Sequence, residues 1–182
     1  MTIHNDIKEV IFTEQELRDK IRELGAELSR EYKGKHPLVV CILKGGSMFM
    51  TDLIKEMDIY LDIDFMDLSS YGDGMESTND VKILKDLSQS AKDRHVLFVE
   101  DIIDTGRTLE FLIQLFETRQ AASINIVTLL NKPSRRLVDV DVKWTGFDIP
   151  DQFAVGYGLD YQEKYRNLPY IGVLKEEAID PS

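Results

Sequence analysis

The chain has 182 residues, 43% of them hydrophobic and 30% charged, which excludes fibrous, low-complexity and wholly disordered proteins. Its 33 acidic and 22 basic residues give a net charge of −11, so we expect no nucleic-acid partner. The length suits one domain, which we place over residues 1–182.

The single cysteine, Cys41, excludes an intrachain disulfide and a cysteine-built zinc site. It lies in an apolar run, where we expect a small buried hydrophobe and not a nucleophile. The first residues lack the basic and apolar regions of a signal peptide, and no apolar run approaches the roughly 18 residues of a membrane helix. We therefore expect a cytoplasmic protein that does not contact membranes.

The first half of the chain predicts a helix, a strand, a second helix and two strand-like arms. Thr13 and Glu16 fit a capping box, and leucine and isoleucine then recur at helical spacing from Leu17 to Leu28. Residues 38–43 form an apolar run, typical of a strand that is covered on both faces, and residues 48–57 suit a helix. Residues 58–71 and 81–87 alternate, which predicts half-exposed strands on either side of a flexible loop at about 71–80.

The second half continues this alternation of strands and helices. Residues 96–99 and 124–130 predict buried strands, and the helix between them begins after a turn at 104–107. Residues 138–144 alternate, residues 146–151 suit a loop, residues 170–174 suit a closing strand, and residues 176–182 should fray. The whole pattern predicts an α/β fold with an open, mainly parallel sheet flanked by helices, and with added strands or loops as a cap.

The segment that carries chemistry runs from the buried strand at 96–99 into the following helix. Glu100 and Asp101 end the strand, and Asp104 opens a turn of small and hydroxylated residues. Ligands of open α/β sheets bind at this edge, and the amides at a helix start attract anions. Three acids beside a phosphate require compensation by a divalent cation or by the hydroxyls of a sugar. The segment therefore predicts a ligand with both a phosphate and a sugar.

Residues 100–108 resemble the phosphoribosyl pyrophosphate (PRPP) motif of the type I phosphoribosyltransferases. Further segments occur in the order found in the hypoxanthine-guanine phosphoribosyltransferases of that group, and the resemblance extends over most of the chain. These segments are residues 43–46, Ser70-Tyr71, Lys132, residues 146–151, Phe153 and residues 155–161.

The resemblance implies the type I phosphoribosyltransferase fold, with a flexible active-site loop and a small hood that the C-terminal part contributes to the purine site. It implies Mg²⁺-dependent transfer of 5-phosphoribosyl from PRPP to N9 of hypoxanthine or guanine, which yields IMP or GMP and pyrophosphate. It also implies a homo-oligomer, a dimer or a tetramer.

The resemblance assigns PRPP contacts residue by residue. Asp104 is the general acid/base near purine N7, and Glu100 and Asp101 hold the ribose hydroxyls and water-bridged Mg²⁺. The remaining assignments are the 5-phosphate to Asp104, Thr105, Gly106, Arg107 and Thr108, the pyrophosphate to Lys44, Gly45 and Arg166, and loop closure to Ser70 and Tyr71.

The purine contacts follow the same resemblance and agree with hydrogen-bond polarity. Lys132 can only donate, which suits the O6 acceptor of hypoxanthine or guanine, and Phe153 would stack on the ring. Main-chain carbonyls near Ala154 and Asp160 would accept from the 2-amino group of guanine. The Asp160 carboxylate would contact a second Mg²⁺ through water.

Three alternatives remain open on the sequence. One is a non-catalytic sensor of PRPP on the same scaffold, although the negative charge and Asp104 oppose it. A second is an enzyme that prefers xanthine. A third is a receiver-like signalling domain phosphorylated at Asp101, which leaves the turn at 105–108 without a role.

Overall fold

The computed structural model describes residues 2–70 and 81–179. The helices are α1 (Glu14–Glu31), α2 (Ser47–Lys55), α3 (Arg107–Thr118) and the short α4 (Glu176–Ile179), and 3₁₀ turns cover Ile3–Asp6 and Pro133–Arg135. The strands are β1 (Ile7–Phe12), β2 (Leu38–Leu43), β3 (Asp62–Ser70), β4 (Val81–Lys85), β5 (His95–Ile103), β6 (Ser123–Asn131), β7 (Trp144–Asp148), β8 (Ala154–Val155) and β9 (Ile171–Leu174). Within these two ranges, none of the helices has the length and apolar character needed to span a bilayer.

The central sheet has six strands in the order β4-β3-β2-β5-β6-β7. All neighbours in it are parallel except β3 and β4, which form an antiparallel pair at one edge. Because parallel strands need crossover connections, helices cover both faces of the sheet. The predicted fold class, an open and mainly parallel sheet flanked by helices, is confirmed.

The apolar run in β2 is buried on both faces, as predicted. Val39 and Cys41 pack on the side of α1 and α2, whereas Leu38 and Val40 pack on the side of α3. Side chains alternate along a strand, so each face of β2 supplies a different core cluster. The pKa of the Cys41 thiol is raised to about 12, first by burial and then by the carboxylates of Glu100 and Asp101. Cys41 is therefore the buried hydrophobe that the sequence predicted.

A second, antiparallel sheet has the order β1-β9-β8 and joins the two ends of the chain. Its residues Ala154 and Ile171 belong to the same core cluster as α1 and α2. β9 confirms the predicted closing strand. Its partner β1 was not predicted, and buried and exposed residues do not alternate along β1. Residues 156–170 connect β8 to β9, so this small sheet holds both ends of that connection.

Helix α1 begins as predicted. Thr13 is its N-cap, the Thr13 hydroxyl accepts from the Glu16 amide, and the Glu16 carboxylate accepts from the Thr13 amide. This capping box lowers the pKa of Glu16. The apolar stripe from Leu17 to Leu28 is buried.

Two expectations at the sheet edge differ from the structure. The alternating stretch at 138–144 enters a strand only at Trp144, and the expected loop at 146–151 contains the end of β7. Gly146 suggested a turn, yet it lies flat against β6, where an added Cβ would be 2.5 Å from the carbonyl oxygen of Leu129. Glycine here permits close approach of two backbones and does not mark a turn.

Burial along β3 does not follow its alternation of apolar and acidic residues. Ile63 is 44% exposed, whereas Asp64 is only 4% exposed. Asp64 is satisfied because its carboxylate accepts from the amides of Phe65 and Ser88. The buried acid therefore organises the connection after β4, which hydrophobic periodicity alone does not reveal.

Candidate active site

The site lies at the carboxyl edge of the central sheet, where β2, β5 and β6 end. β5 extends to Ile103, so Glu100 and Asp101 are its last polar residues and not part of a loop. Lys44 follows β2 and Lys132 follows β6, and the Lys132 amide donates to the carbonyl of Ile103 at 2.9 Å. Parallel strands thus bring residues from three distant parts of the chain to one edge.

Glu100 and Asp101 are adjacent acids in a poorly hydrated environment. Glu100 is 8% exposed, and burial, followed by the charge of Asp101, raises its pKa well above the ordinary value. Burial raises the pKa of Asp101 to about 6, against the opposing effects of its hydrogen bond from the Ile102 amide and of the Arg166 charge. Hydroxyl donors or a cation beside these two carboxylates would stabilise their charged forms.

The turn at 44–46 packs directly against Asp101. A Cβ on Gly45 would overlap the Asp101 carboxylate, and a Cβ on Gly158 would overlap the carbonyl oxygen of Gly45. Gly158 also has φ +99°, in the left-handed region that favours glycine. The peptide between Leu43 and Lys44 is cis. Three chain segments therefore meet at Gly45 with no room for a side chain.

Two cations and two carboxylates form a cluster beside this turn. Lys44 Nζ lies 2.8 Å from Glu163 Oε2, and Arg166 Nη2 lies 3.2 Å from Glu163 Oε1 and 3.1 Å from Asp160 Oδ1. Arg166 Nη1 donates to the carbonyl of Gly158 at 2.8 Å. Lys44 and then Arg166 lower the pKa of Glu163. The cluster brings together the two predicted pyrophosphate cations, Lys44 and Arg166, and an anionic ligand could take the place of the Glu163 carboxylate.

A second charged cluster contains Asp104 and Lys132. Arg135 Nε donates to Asp104 Oδ1 at 2.9 Å, and Arg135 Nη1 lies 3.5 Å from Asp151 Oδ2. Lys132 Nζ lies 3.7 Å from Asp151 Oδ1, and Lys132 is only 8% exposed. Arg136 Nε donates to the main-chain carbonyl of Asp104 at 3.2 Å. The structure thus connects Asp104 with Lys132 through two residues to which the sequence assigned no role, Arg135 and Asp151.

The turn at 104–106 leads into α3, which begins at Arg107. Its N-cap is Gly106, with φ +87° and no side chain to accept from the first-turn amides. A Cβ on Gly106 would lie 3.0 Å from Arg136 Cδ and 3.1 Å from the carbonyl oxygen of Val138. The Arg107 amide donates to Thr105 Oγ1 at 3.4 Å. The predicted 5-phosphate residues therefore lie at the N-terminus of α3, where the helix dipole favours an anion.

Phe153 and Ala154 lie at the start of the small sheet. Phe153 is 51% exposed and meets Tyr161 edge-on, with 5.6 Å between ring centroids, whereas Ala154 is buried in β8. An exposed aromatic face can stack on a planar ligand. Ser70 is the last residue of β3, and Tyr71 with the predicted loop at about 71–80 lies outside the described residues.

Comparison with known proteins places the chain in a family. Residues 9–162 match the phosphoribosyl transferase domain. The hypoxanthine-guanine phosphoribosyltransferase of Staphylococcus aureus (strain Mu50) is 54% identical over 97% of this chain and 98% of its own length. The chain belongs to the hypoxanthine-guanine phosphoribosyltransferase family. The family that the sequence suggested is therefore confirmed.

Two further relatives agree with this membership. A crystal structure of a hypoxanthine phosphoribosyltransferase from Staphylococcus aureus superimposes with a TM-score of 0.94 at 53% identity, over 98% of this chain and 97% of that chain. The bifunctional protein TilS/HprT of Listeria monocytogenes serotype 4b is 57% identical over 97% of this chain. The chain spans 27% of the length of that relative.

The family resemblance implies magnesium, and the donor set of the site fits it. In residues 2–70 and 81–179, no three His, Cys, Asp or Glu side chains are grouped so that they could hold a metal ion. Mg²⁺ is usually bound by one or two carboxylates together with substrate phosphates and water. The adjacent acids Glu100 and Asp101, whose pKa values burial raises, are such a partial donor set.

The functional residues that sequence reasoning missed are Arg135, Asp151 and Glu163. A signal existed for Arg135, because Arg135 and Arg136 follow Lys132 within four residues. Asp151 ends the segment 146–151 that carries the resemblance, but no role was assigned to it. Glu163 gave no pattern of its own, since single exposed acids are common on any surface. Only the tertiary contacts show which cations they approach.

Proposed function

We propose that the protein transfers the 5-phosphoribosyl group of PRPP to N9 of hypoxanthine or guanine, with release of pyrophosphate. The observation that supports this most directly is the junction of β5 and α3. There, the adjacent acids Glu100 and Asp101, then Asp104, and then a turn that begins α3 at the Gly106 N-cap follow one another within nine residues. A phosphorylated sugar satisfies all three, because its hydroxyls donate to carboxylates and its phosphate accepts from amides.

In this reaction the C1–O bond to pyrophosphate breaks and the C1–N9 bond forms. Pyrophosphate leaves with the bonding electron pair, so negative charge grows there while C1 becomes cation-like. Lys44 and Arg166 would bind the departing pyrophosphate in place of the Glu163 carboxylate, which pairs with both of them. Glu100 and Asp101 would hold the ribose hydroxyls and stabilise the positive charge nearby.

Asp104 would take the proton from purine N7 as N9 attacks C1. Proton removal leaves the electron pair on the purine ring and makes N9 a better nucleophile. Its neighbours suit this role, since Arg135 donates to Asp104 Oδ1 and Arg136 donates to its carbonyl. General base catalysis of this kind contributes roughly 10²–10⁴-fold to a rate.

Lys132 would select the base by donating to O6. Its ammonium is nearly buried and its nearest carboxylate, Asp151, is 3.7 Å away, so it retains donor capacity for a ligand. Hypoxanthine and guanine offer an acceptor at that position, whereas adenine offers an amino group. Phe153 would stack on the purine, and the carbonyls near Ala154 and Asp160 would accept from the 2-amino group of guanine.

Mg²⁺ would be held by Glu100 and Asp101, and a second ion by Asp160 through water. When bound, it would neutralise the phosphate oxygens of PRPP and of the departing pyrophosphate. Ser70 and Tyr71 would begin a loop that excludes water from the cation-like carbon.

We further propose a homo-oligomer, a dimer or tetramer, located in the cytoplasm, where its phosphorylated substrate is retained.

The test is a spectrophotometric assay with PRPP and Mg²⁺ on hypoxanthine, guanine, xanthine and adenine, with wild-type protein and the Asp104→Asn variant. We expect activity on hypoxanthine and guanine, lower by roughly 10²–10⁴-fold in Asp104→Asn with far smaller change in PRPP affinity. Asp139→Asn, at an exposed aspartate, is the matched control and should keep full activity. PRPP binding without turnover on any base would instead indicate a sensor, and a preference for xanthine would move the purine contacts elsewhere.

A further inference from the structure

Arg135 lies between the two carboxylates of the cluster that contains Asp104 and Lys132. It ends the 3₁₀ turn Pro133–Arg135, directly after Lys132. Its Nε donates to Asp104 Oδ1 at 2.9 Å, and its Nη1 lies 3.5 Å from Asp151 Oδ2. The side chain is 49% exposed, so it is held mainly by these two carboxylates and not by packing.

Charges alternate along a row of four side chains. The row runs from Asp104 to Arg135, then to Asp151, and then to Lys132 Nζ, 3.7 Å from Asp151 Oδ1. The two ends of the row are the residues proposed for purine N7 and O6, which are neighbouring positions on one edge of a 6-oxopurine. Arg135 and Asp151 therefore connect the proposed proton acceptor with the proposed base-selecting donor.

We propose that Arg135 is a positioning residue that orients the Asp104 carboxylate for proton transfer. The inference rests on the proposed function. A carboxylate can rotate about its Cβ–Cγ bond, and a donor fixed on Oδ1 also fixes the direction of Oδ2. The planar guanidinium suits this task, because it contacts Asp104 and Asp151 at once with a rigid spacing between its nitrogens.

The main chain of Asp104 is fixed by the neighbouring arginine. Arg136 Nε donates to the Asp104 carbonyl at 3.2 Å, so consecutive arginines hold the backbone and the carboxylate of the same residue. The Asp104 and Asp151 charges raise the pKa of Arg135, which keeps its guanidinium charged. Exposed ion pairs add little to folding stability, so the effect of losing this pair should appear in turnover and not in the melting temperature.

The experiment compares Arg135→Gln and Arg135→Lys with the wild-type protein. Arg119→Gln is the matched control, because Arg119 forms an arginine–aspartate pair with Asp86 on the surface, away from the site. For Arg135→Gln we expect kcat to fall about 10–100-fold, with KM for PRPP changed less than about threefold. Arg135→Lys should recover part of the loss, since an ammonium can reach Asp104 but cannot reproduce the planar fork. The control should keep its kcat.

A double-mutant cycle with Asp104→Asn decides whether Arg135 acts through Asp104. We expect Arg135→Gln to cost less than about twofold once Asp104 is replaced. An unchanged kcat in Arg135→Gln, or an equal loss with and without the Asp104 carboxylate, would overturn the inference. If Arg135→Gln does not fold, the same cycle with Arg135→Lys decides it. Full activity of Asp104→Asn alone would refute Asp104 as the proton acceptor. Equal losses from Arg135→Gln with and without the Asp104 carboxylate would refute only the role of Arg135.

Discussion

The contact between Gly158 and Gly45 gives the sharpest prediction, for the variant Gly158→Ala. The new Cβ would lie more than 1 Å inside the 3.4 Å at which ordinary contacts with the Gly45 carbonyl oxygen begin. That oxygen belongs to rigid backbone, so the turn at 44–46 must move. A misplacement of about 1 Å at a binding group can cost on the order of 10²-fold in rate. We therefore expect kcat/KM for PRPP to fall by about that factor.

Folding stability should fall as well, for a separate reason. A side chain in the left-handed region costs about 1–2 kcal/mol, which lowers the melting temperature of a chain of this size by about 2–8 °C. Gly34→Ala is the matched control, because Gly34 has φ +76° but nothing lies within 4 Å of its added Cβ. It should lose only the stability that the left-handed conformation costs, with unchanged kinetics.

Thermal unfolding and steady-state kinetics with varied PRPP measure both effects. Wild-type kinetics in Gly158→Ala, with the melting temperature lowered as in Gly34→Ala, would refute the argument that Gly158 supports the turn at 44–46. An equal kinetic loss in both variants would show that left-handed strain alone, and not the position of Gly45, controls the rate.

Three further predictions concern single side chains. In denaturant titrations, Asp101→Asn should stabilise the metal-free protein by about 2–3 kcal/mol at pH 7 and by much less at pH 4. The reason is that the pKa of Asp101 is raised to about 6, so the folded wild-type protein loses stability as the pH rises from 4 to 6. An equal gain at both pH values would contradict this. Cys41 should not react with a thiol reagent in native protein at pH 8 and should react fully in guanidinium, since its pKa is about 12; rapid native labelling would show that its strand opens. Lys132→Ala should lower kcat/KM for hypoxanthine and guanine by more than about tenfold, and unchanged base preference would locate the purine site elsewhere.

The geometry also explains how a chain of net charge −11 can offer a site for polyanions. Lys44 and Arg166 are 122 residues apart in the sequence, but both form an ion pair with Glu163. Arg135 and Lys132 converge in the same way on Asp151. The fold thus places pairs of cations together, each pair beside a carboxylate of the protein. A ligand phosphate or purine oxygen can replace that carboxylate as the partner of the cations, although the net charge of the chain is negative.

Much of the fold could be predicted from local patterns. The capping box at Thr13 and the stripe of α1 require only neighbouring residues, and so does the doubly buried β2. Errors arose where a strand lies at a sheet edge or where a polar residue is buried. Gly146 and Asp64 depend on the partners beside them, Leu129 and Ser88, which are distant in sequence.

The sequence by itself determined the family, the order of the strands and helices from α1 to β6, and the acidic residues at the end of β5, because these depend on hydrophobic period, turn chemistry and short motifs. Only the tertiary structure decided which charges meet. Glu163 lies between Lys44 and Arg166, and Arg135 bonds to Asp104, because parallel strands end at one edge and bring their following loops together. Charge pairing depends on distances of a few ångströms, and no periodicity along the chain encodes those distances.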